Sequence, residues 1–355
     1  PPVDPGAMGE LILSIEVGNN GDGYGYRVAD LGDNNFDGLS EFALAAPTLV
    51  LPEFNTPAGG VSLFQASDSP TDLSDQDQLG QVLSDQPYSY VGQWLTACDI
   101  DDDGQSELFV GSPNYTVNEQ MVGGVFRFEL PLVGDVLTPV NTHLIYGEEE
   151  YAAFGGMISC SDRDNLVAVG AGYSALNGLE KSGVVYIYDP TFSGQESAAV
   201  AVATIEGDSM GQYMGVSHAF GDFNGDGLDD ILVSGSGEGP SGDGTGTAAV
   251  FMGPLSGQMD MNDAAKTYHD QDPTDRLGNC VTAGEDVDGD GYGDYMISAY
   301  WRSTHAPRGG EVRLYGGGVS LPNQQSEMAR FIGETEYGYG GISTAFLSDF
   351  SNDNA

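Results

Sequence analysis

Apolar residues in this chain come in short, nearly continuous runs that end in small or turn-forming residues. Phe42-Ala43-Leu44-Ala45-Ala46, Leu108-Phe109-Val110-Gly111, Ile231-Leu232-Val233-Ser234 and Tyr295-Met296-Ile297-Ser298 set the pattern. A helix needs a longer periodic stretch and a half-buried strand alternates, so these runs predict strands covered on both faces. Helical periodicity is weak throughout.

The runs repeat in order. A strand such as Gln93-Trp94-Leu95-Thr96-Ala97-Cys98 enters an acidic loop, an apolar run leaves it, and a third strand starts at glycine, as in Gly183-Val184-Val185-Tyr186-Ile187-Tyr188. A fourth follows, as in His143-Leu144-Ile145-Tyr146. The first loop aspartates, Asp33, Asp99, Asp162, Asp222, Asp286 and Asp349, recur every 60 to 66 residues. Four antiparallel strands per unit of that size predict an all-β fold, a β-propeller of four-stranded blades. Leu11 to Ile15 reads as an orphan fourth strand, five full units follow, and a sixth begins at Tyr337 and stops within its loop at residues 349–355. Residues 10–355 are therefore expected to form one propeller domain of about five and a half blades plus a closing strand, incomplete at its C-terminus. A missing segment or a second chain would complete the ring. Residues 1–9 read as a processed or tag-derived end.

The acidic loops carry the chemistry. Four copies fit D-x-[DN]-x-D-G-x-x-[DE], which sets oxygen donors at positions 1, 3, 5 and 9, a backbone carbonyl at position 7 and a glycine at position 6 for the turn. The expected Ca2+ ligands are Asp33, Asn35, Asp37, the Leu39 carbonyl and Glu41, then Asp99, Asp101, Asp103, the Gln105 carbonyl and Glu107. Asp222, Asn224, Asp226, the Leu228 carbonyl and Asp230 form the next set, and Asp286, Asp288, Asp290, the Tyr292 carbonyl and Asp294 the last. Calcium accepts six to eight hard oxygens in a flexible cage, whereas magnesium demands a stricter octahedron. Four structural calcium ions follow as the expectation. The third unit passes from Asp162-Arg163-Asp164-Asn165 straight into Leu166-Val167-Ala168-Val169 and is expected to hold none. Asp349, Ser351 and Asp353 begin a partial sixth cage.

These residues resemble the FG-GAP repeats of the integrin α-subunit propeller and its bacterial relatives, over essentially the whole chain. Phe154-Gly155, with Tyr24-Gly25, Val91-Gly92, Met214-Gly215, Leu277-Gly278 and Tyr339-Gly340, matches the first half of the motif. Ala46-Pro47, Gly111-Ser112-Pro113 and Gly170-Ala171-Gly172 match the second. The resemblance implies a ring that normally closes with seven blades and calcium loops on one face. It also implies an extracellular or cell-surface adhesion or protein-interaction module, whose protein or glycan ligand sits on the opposite face. That face would use residues 47–58, 113–122, 236–246 and 300–308, with Tyr24, Tyr151, Tyr213 and Tyr337, although each tyrosine is first expected to pack between blades. A lectin-like propeller and an accessory domain of a larger secreted enzyme are the alternatives.

Composition narrows the partners. Ten basic residues against 54 acids leave a net charge of -44, which repels nucleic acid and anionic membranes. No stretch is long and apolar enough for insertion in a membrane. Cys98, Cys160 and Cys280 show no metal spacing and are expected to be buried small hydrophobes. His143, His218, His269 and His305 lie far apart and no catalytic motif accompanies them, so the reading is non-enzymatic. Trp301, Arg302, His305 and Arg308 form the main local anomaly, a basic aromatic loop in an acidic chain and a candidate contact for an anionic or sugar ligand.

Overall fold

The apolar runs become strands, paired as their order predicts. The computed structural model describes residues 15–16, 21–65, 73–74, 78–138, 143–161, 163–189, 193–237, 246–269, 275–284, 286–319 and 327–346. Five four-stranded antiparallel sheets follow one another along the chain. Blade one comprises Val28–Gly32, Glu41–Ala46, Gly60–Gln65 and Gly80–Leu83. Blade two comprises Trp94–Cys98, Glu107–Ser112, Gly124–Phe128 and His143–Tyr146. Blade three has Met157–Ser161, Leu166–Ala171, Val184–Tyr188 and Ala203–Glu206. Blade four has Ser217–Gly221, Asp230–Gly235, Thr247–Phe251 and Lys266–His269. Blade five has Leu277–Ala283, Tyr295–Ala299, Glu311–Tyr315 and Glu327–Ile332.

The first strand of each blade packs against the first strand of the next, so the sheets are arrayed radially around a shared centre. The apolar core lies between blades. One cluster joins Leu31, Val61 and Leu63 of blade one to Leu108, Val110 and Phe126 of blade two, and three more continue the series. Second strands are therefore buried on both faces, entirely so in Glu107–Ser112 and Asp230–Gly235. That explains why they lack alternation in the sequence.

Neighbouring blades also exchange edge strands. Gly134–Leu137, in the third-to-fourth connection of blade two, pairs in parallel with Gly80–Leu83 of blade one. Gln195–Ser197 does the same for blade two, and Gly257–Asp260 for blade three. Leu73–Ser74 pairs in parallel with Ile15–Glu16, which thus occupies the place of a fourth strand preceding blade one.

The glycines before third strands have a physical cause. Gly59, Gly123, Gly183 and Gly310 bridge to Val91, Phe154, Met214 and Gly340 of the following unit. A Cβ on Gly123 would collide with the Phe154 carbonyl oxygen. This register corrects the sixth aromatic-glycine turn. Gly340 occupies the bridging position and Gly341, with φ of 89°, takes the place of Gly92, Gly155 and Gly215, so the pair is Gly340-Gly341 rather than Tyr339-Gly340.

The expectation for the cysteines is also corrected. Cys98 and Cys160 form a disulfide between the first strands of blades two and three, with Cα atoms 6.4 Å apart, and Cys280 is a free, half-buried thiol. The strand Glu327–Ile332 of blade five leaves Phe331 57% exposed, and at the other end of the array Val28 of blade one is 61% exposed. Asp162, Asp349, Ser351, Asp353, residues 1–9 and most of residues 11–15 and 236–246, for which the sequence carries expectations, lie outside the described residues.

Candidate calcium loops and the opposite face

All four predicted loops join the first strand of a blade to its second and share one hydrogen-bond pattern. The position-1 carboxylate accepts the backbone N–H groups of positions 5 and 6. Asp33 takes those of Asp37 and Gly38 at 3.1 and 2.8 Å, and Asp286 those of Asp290 and Gly291 at 3.0 and 2.8 Å. Asp99 and Asp222 repeat the arrangement. Position 3 also accepts from position 5, and position 5 from position 7, in every copy. The position-9 carboxylate accepts the N–H of position 2, through Glu41 to Asn34, Glu107 to Ile100, Asp230 to Phe223 and Asp294 to Val287. Position 6 takes φ between 87° and 94°, open to glycine at little cost.

The loops differ in where position 9 sends its second oxygen. Asp230 and Asp294 accept further N–H groups from Gly253 and Gly317, which ties each loop to the third-to-fourth connection of its own blade. The longer Glu41 turns its other oxygen to Asn35 within the loop. Carboxylate oxygens converge accordingly in Asp33, Asp37 and Glu41, in Asp99, Asp101 and Glu107, and in Asp286, Asp288 and Asp290, each set within 4.8 Å. Asp222, Asn224, Asp226 and Asp230 share the backbone pattern but present no such triplet of acids.

Burial and mutual repulsion set the charge cost. Burial, with the charge of Asp101 added, pushes Glu107 up to about 7. Burial likewise pushes Asp230 up to about 6, helped by Asp226 and Asp222. Glu41 and Asp294 are raised for the same two reasons. A crowded cluster with oxygen donors alone suits a hard cation and not a soft metal. The shortened third loop places Arg163 3.5 Å from Asp222 and 3.8 Å from Asp229, so its charge reaches the next blade's loop instead of only solvent.

The second-to-third and fourth-to-first connections lie at the other end of every blade. A cleft of about 690 Å³ there is lined by Glu149, Tyr151, Tyr173, Lys181, Tyr213 and Arg276, among others, from blades three to five and their connections. Tyr173 and Tyr213 meet edge-on at 5.4 Å, and the Lys181 ammonium lies 6.0 Å from the Tyr213 ring centre. A second cavity of about 410 Å³ shares Tyr173 and Val216 with it. The residue just before each aromatic-glycine pair is left-handed, at Tyr90, Ala153, Tyr213, Arg276 and Tyr339, and so are Tyr88, Tyr151 and Tyr337 two positions earlier. Left-handed backbone is costly for such side chains. Tyr151 and Tyr337 are 65% and 56% exposed, which corrects the expectation that they pack between blades, while Tyr24 and Tyr213 are half-buried.

The basic aromatic loop divides. Trp301 is half-buried, His305 and Arg308 are exposed, and Arg302 pairs with Asp275 at 3.0 Å and with buried Glu311 at 3.2 Å. The histidines do not share a site. His143 accepts from Gly194 N–H, His269 meets the Thr247 hydroxyl, and buried His218 lies 2.7 Å from the Ser159 hydroxyl. The disulfide, the left-handed tyrosines and the stacking of Arg276 beside Trp301 were invisible to sequence reasoning. Recurrence of Tyr one and three positions before the motif was the available signal for the second.

A family model described as FG-GAP repeat matches residues 214–251. The chain is 29% identical over 220 residues to integrin alpha-5 of Xenopus laevis, covering 59% of this chain and 19% of the relative. It is 26% identical over 231 residues to integrin alpha pat-2 of Caenorhabditis briggsae, covering 59% and 17%. A phosphatidylinositol-glycan-specific phospholipase D of Dictyostelium discoideum is 24% identical over 221 residues, covering 54% and 23%. The chain thus spans about a fifth of the length of these curated relatives.

Proposed function

We propose that this chain, an all-β array of blades that resembles the FG-GAP propeller of integrin α, is a calcium-stabilised adhesion or protein-interaction module acting outside the cell or at its surface. The division between the two ends of the blades carries this reading. Acidic loops crowd the first-to-second hairpins, and a mixed-charge, tyrosine-lined cleft occupies the other end. Calcium, held by the position 1, 3 and 5 side chains together with Glu41 and Glu107, would neutralise the crowded carboxylates and stiffen the hairpins. In the two loops closed by Asp230 and Asp294, the same carboxylates brace the third-to-fourth connection.

Aromatic side chains fixed by an unfavourable backbone present contact area at small entropic cost, which suits a protein partner. The exposed apolar side chains on the outer strand of blade five and the first strand of blade one fit a covering segment or second chain. A double variant, Tyr173→Ala with Tyr213→Ala, tests the reading. Immobilised wild type should capture protein from a surface-protein fraction and the variant should lose most of that capture. Saturable binding on a glycan array without protein capture would instead support the lectin-like alternative. The similarity to the Dictyostelium phospholipase D supports, as a second reading, the place of this propeller beside a catalytic domain.

A further inference from the structure

Trp301 stands in the second-to-third connection of blade five, with the Arg276 guanidinium carbon 3.9 Å and the Arg308 guanidinium carbon 4.2 Å from its ring centre. Both guanidinium groups thus pack directly against the one indole. Arg276 is half-buried and donates from Nη1 to the Tyr300 hydroxyl at 3.2 Å. Arg308 is exposed, lies 6.0 Å from the Tyr337 ring centre and has no acidic partner among the described residues. Its neighbour Arg302 is committed to Asp275 and Glu311, and Arg313 to Glu311.

A guanidinium that spends its flat face on an indole keeps its edge N–H groups directed away from the ring. Those edges form the fork that receives a carboxylate. Two cations gathered on one side chain are conspicuous in a chain with only ten basic residues and a net charge of -44. A polyanion would meet the long-range repulsion of that charge, whereas a single carboxylate feels mostly the local pair once salt screens the rest. Two guanidinium groups against a half-buried indole leave little of it for a sugar ring to stack on, which favours a protein side chain over a glycan.

We propose that Arg276, Trp301 and Arg308 form a carboxylate-binding site for an acidic side chain of a protein partner. The proposal rests on the protein-interaction reading above and adds the chemistry of one contact.

The chain has two tryptophans, Trp94 and Trp301, so the indole N–H signals of 15N-labelled protein report each separately. At fixed excess calcium, the peptide acetyl-Gly-Glu-Gly-amide should shift the Trp301 signal saturably while Trp94 stays still. Its Gln counterpart should shift neither. In Arg308→Gln, with fold checked by the Trp94 signal and the melting temperature, the apparent affinity should fall at least about fivefold, the scale of a lost charge-assisted contact. Arg308→Lys, which keeps charge without the fork, should fall between. No saturable shift, or equal affinity in Arg308→Gln, overturns the site, and tighter binding of galacturonic acid than of the peptide reassigns it to an acidic sugar. A silent Trp301 with capture still lost in the Tyr173/Tyr213 variant removes this site and leaves the interaction reading standing. A responsive Trp301 without any protein capture does the reverse.

Discussion

His218 lies between the first strands of blades three and four, fully buried, with Nδ1 against the Ser159 hydroxyl, and burial pushes its pKa down to about 3. Its ordinary value is 6.5. The unfolded chain therefore takes up a proton that the folded chain refuses, and the stability present above about 6.5 is lost as pH falls toward 3. In His218→Gln the amide keeps a polar contact but no longer titrates. The gap between wild-type and variant melting temperatures should narrow between about pH 7.5 and pH 5, and a gap independent of pH would contradict this assignment. The sequence showed a histidine one strand from an acidic loop. Its inertness comes from burial between two blades, against a serine 59 residues away, and no local pattern reveals that packing.

Among the elements, the acidic loop was the most legible, since its donors lie within nine residues and four copies repeat one backbone pattern. The use of position 9 was less so, because whether its carboxylate braces Gly253 and Gly317 or turns into the loop depends on side-chain length and on a neighbouring connection. Glu107 gives the sharper test. Without calcium its folded pKa of about 7 exceeds the ordinary 4.5, so its stabilising protonated state is complete below about 4.5 and lost as pH rises through 7. Metal-free Glu107→Gln should accordingly melt higher than metal-free wild type at about pH 8, yet gain less from added calcium. The opposite order in either condition would show that Glu107 does not face the cation.

The sixth aromatic-glycine turn was misplaced by one residue because Tyr339 sits in the left-handed position ahead of the pair and mimics its aromatic. The disulfide was missed for a different reason. Cys98 and Cys160 stand at unequal distances from their loops, and only lateral packing of first strands brings them together. Closing 62 residues, the cross-link should contribute about 4 kcal/mol in the chain-entropy account. Urea unfolding of a Cys98→Ser, Cys160→Ser variant measures it, and a loss below about 1 kcal/mol would mean the bond adds little.

At the scale of the molecule, fold class, blade order and strand count could be read from the sequence, since each blade is specified by nearby runs and turns. Features made between blades could not. The exchanged edge strands, the disulfide and the cleft all join residues from different units. Calcium enters at this scale as well. With a net charge of -44, the hairpin ends concentrate acids that repel in the folded state more than in the unfolded chain. A cation bound only by the folded loops stabilises the array by mass action. Under the proposed function one face braces and the other binds, and bracing comes first because the cleft depends on blades held in place. Thermal unfolding at constant ionic strength, in EGTA and then in about 1 mM Ca2+ or Mg2+, tests it most directly. The prediction is a rise of at least about 5 °C with calcium that magnesium does not match. Equal melting temperatures in EGTA and calcium would contradict it.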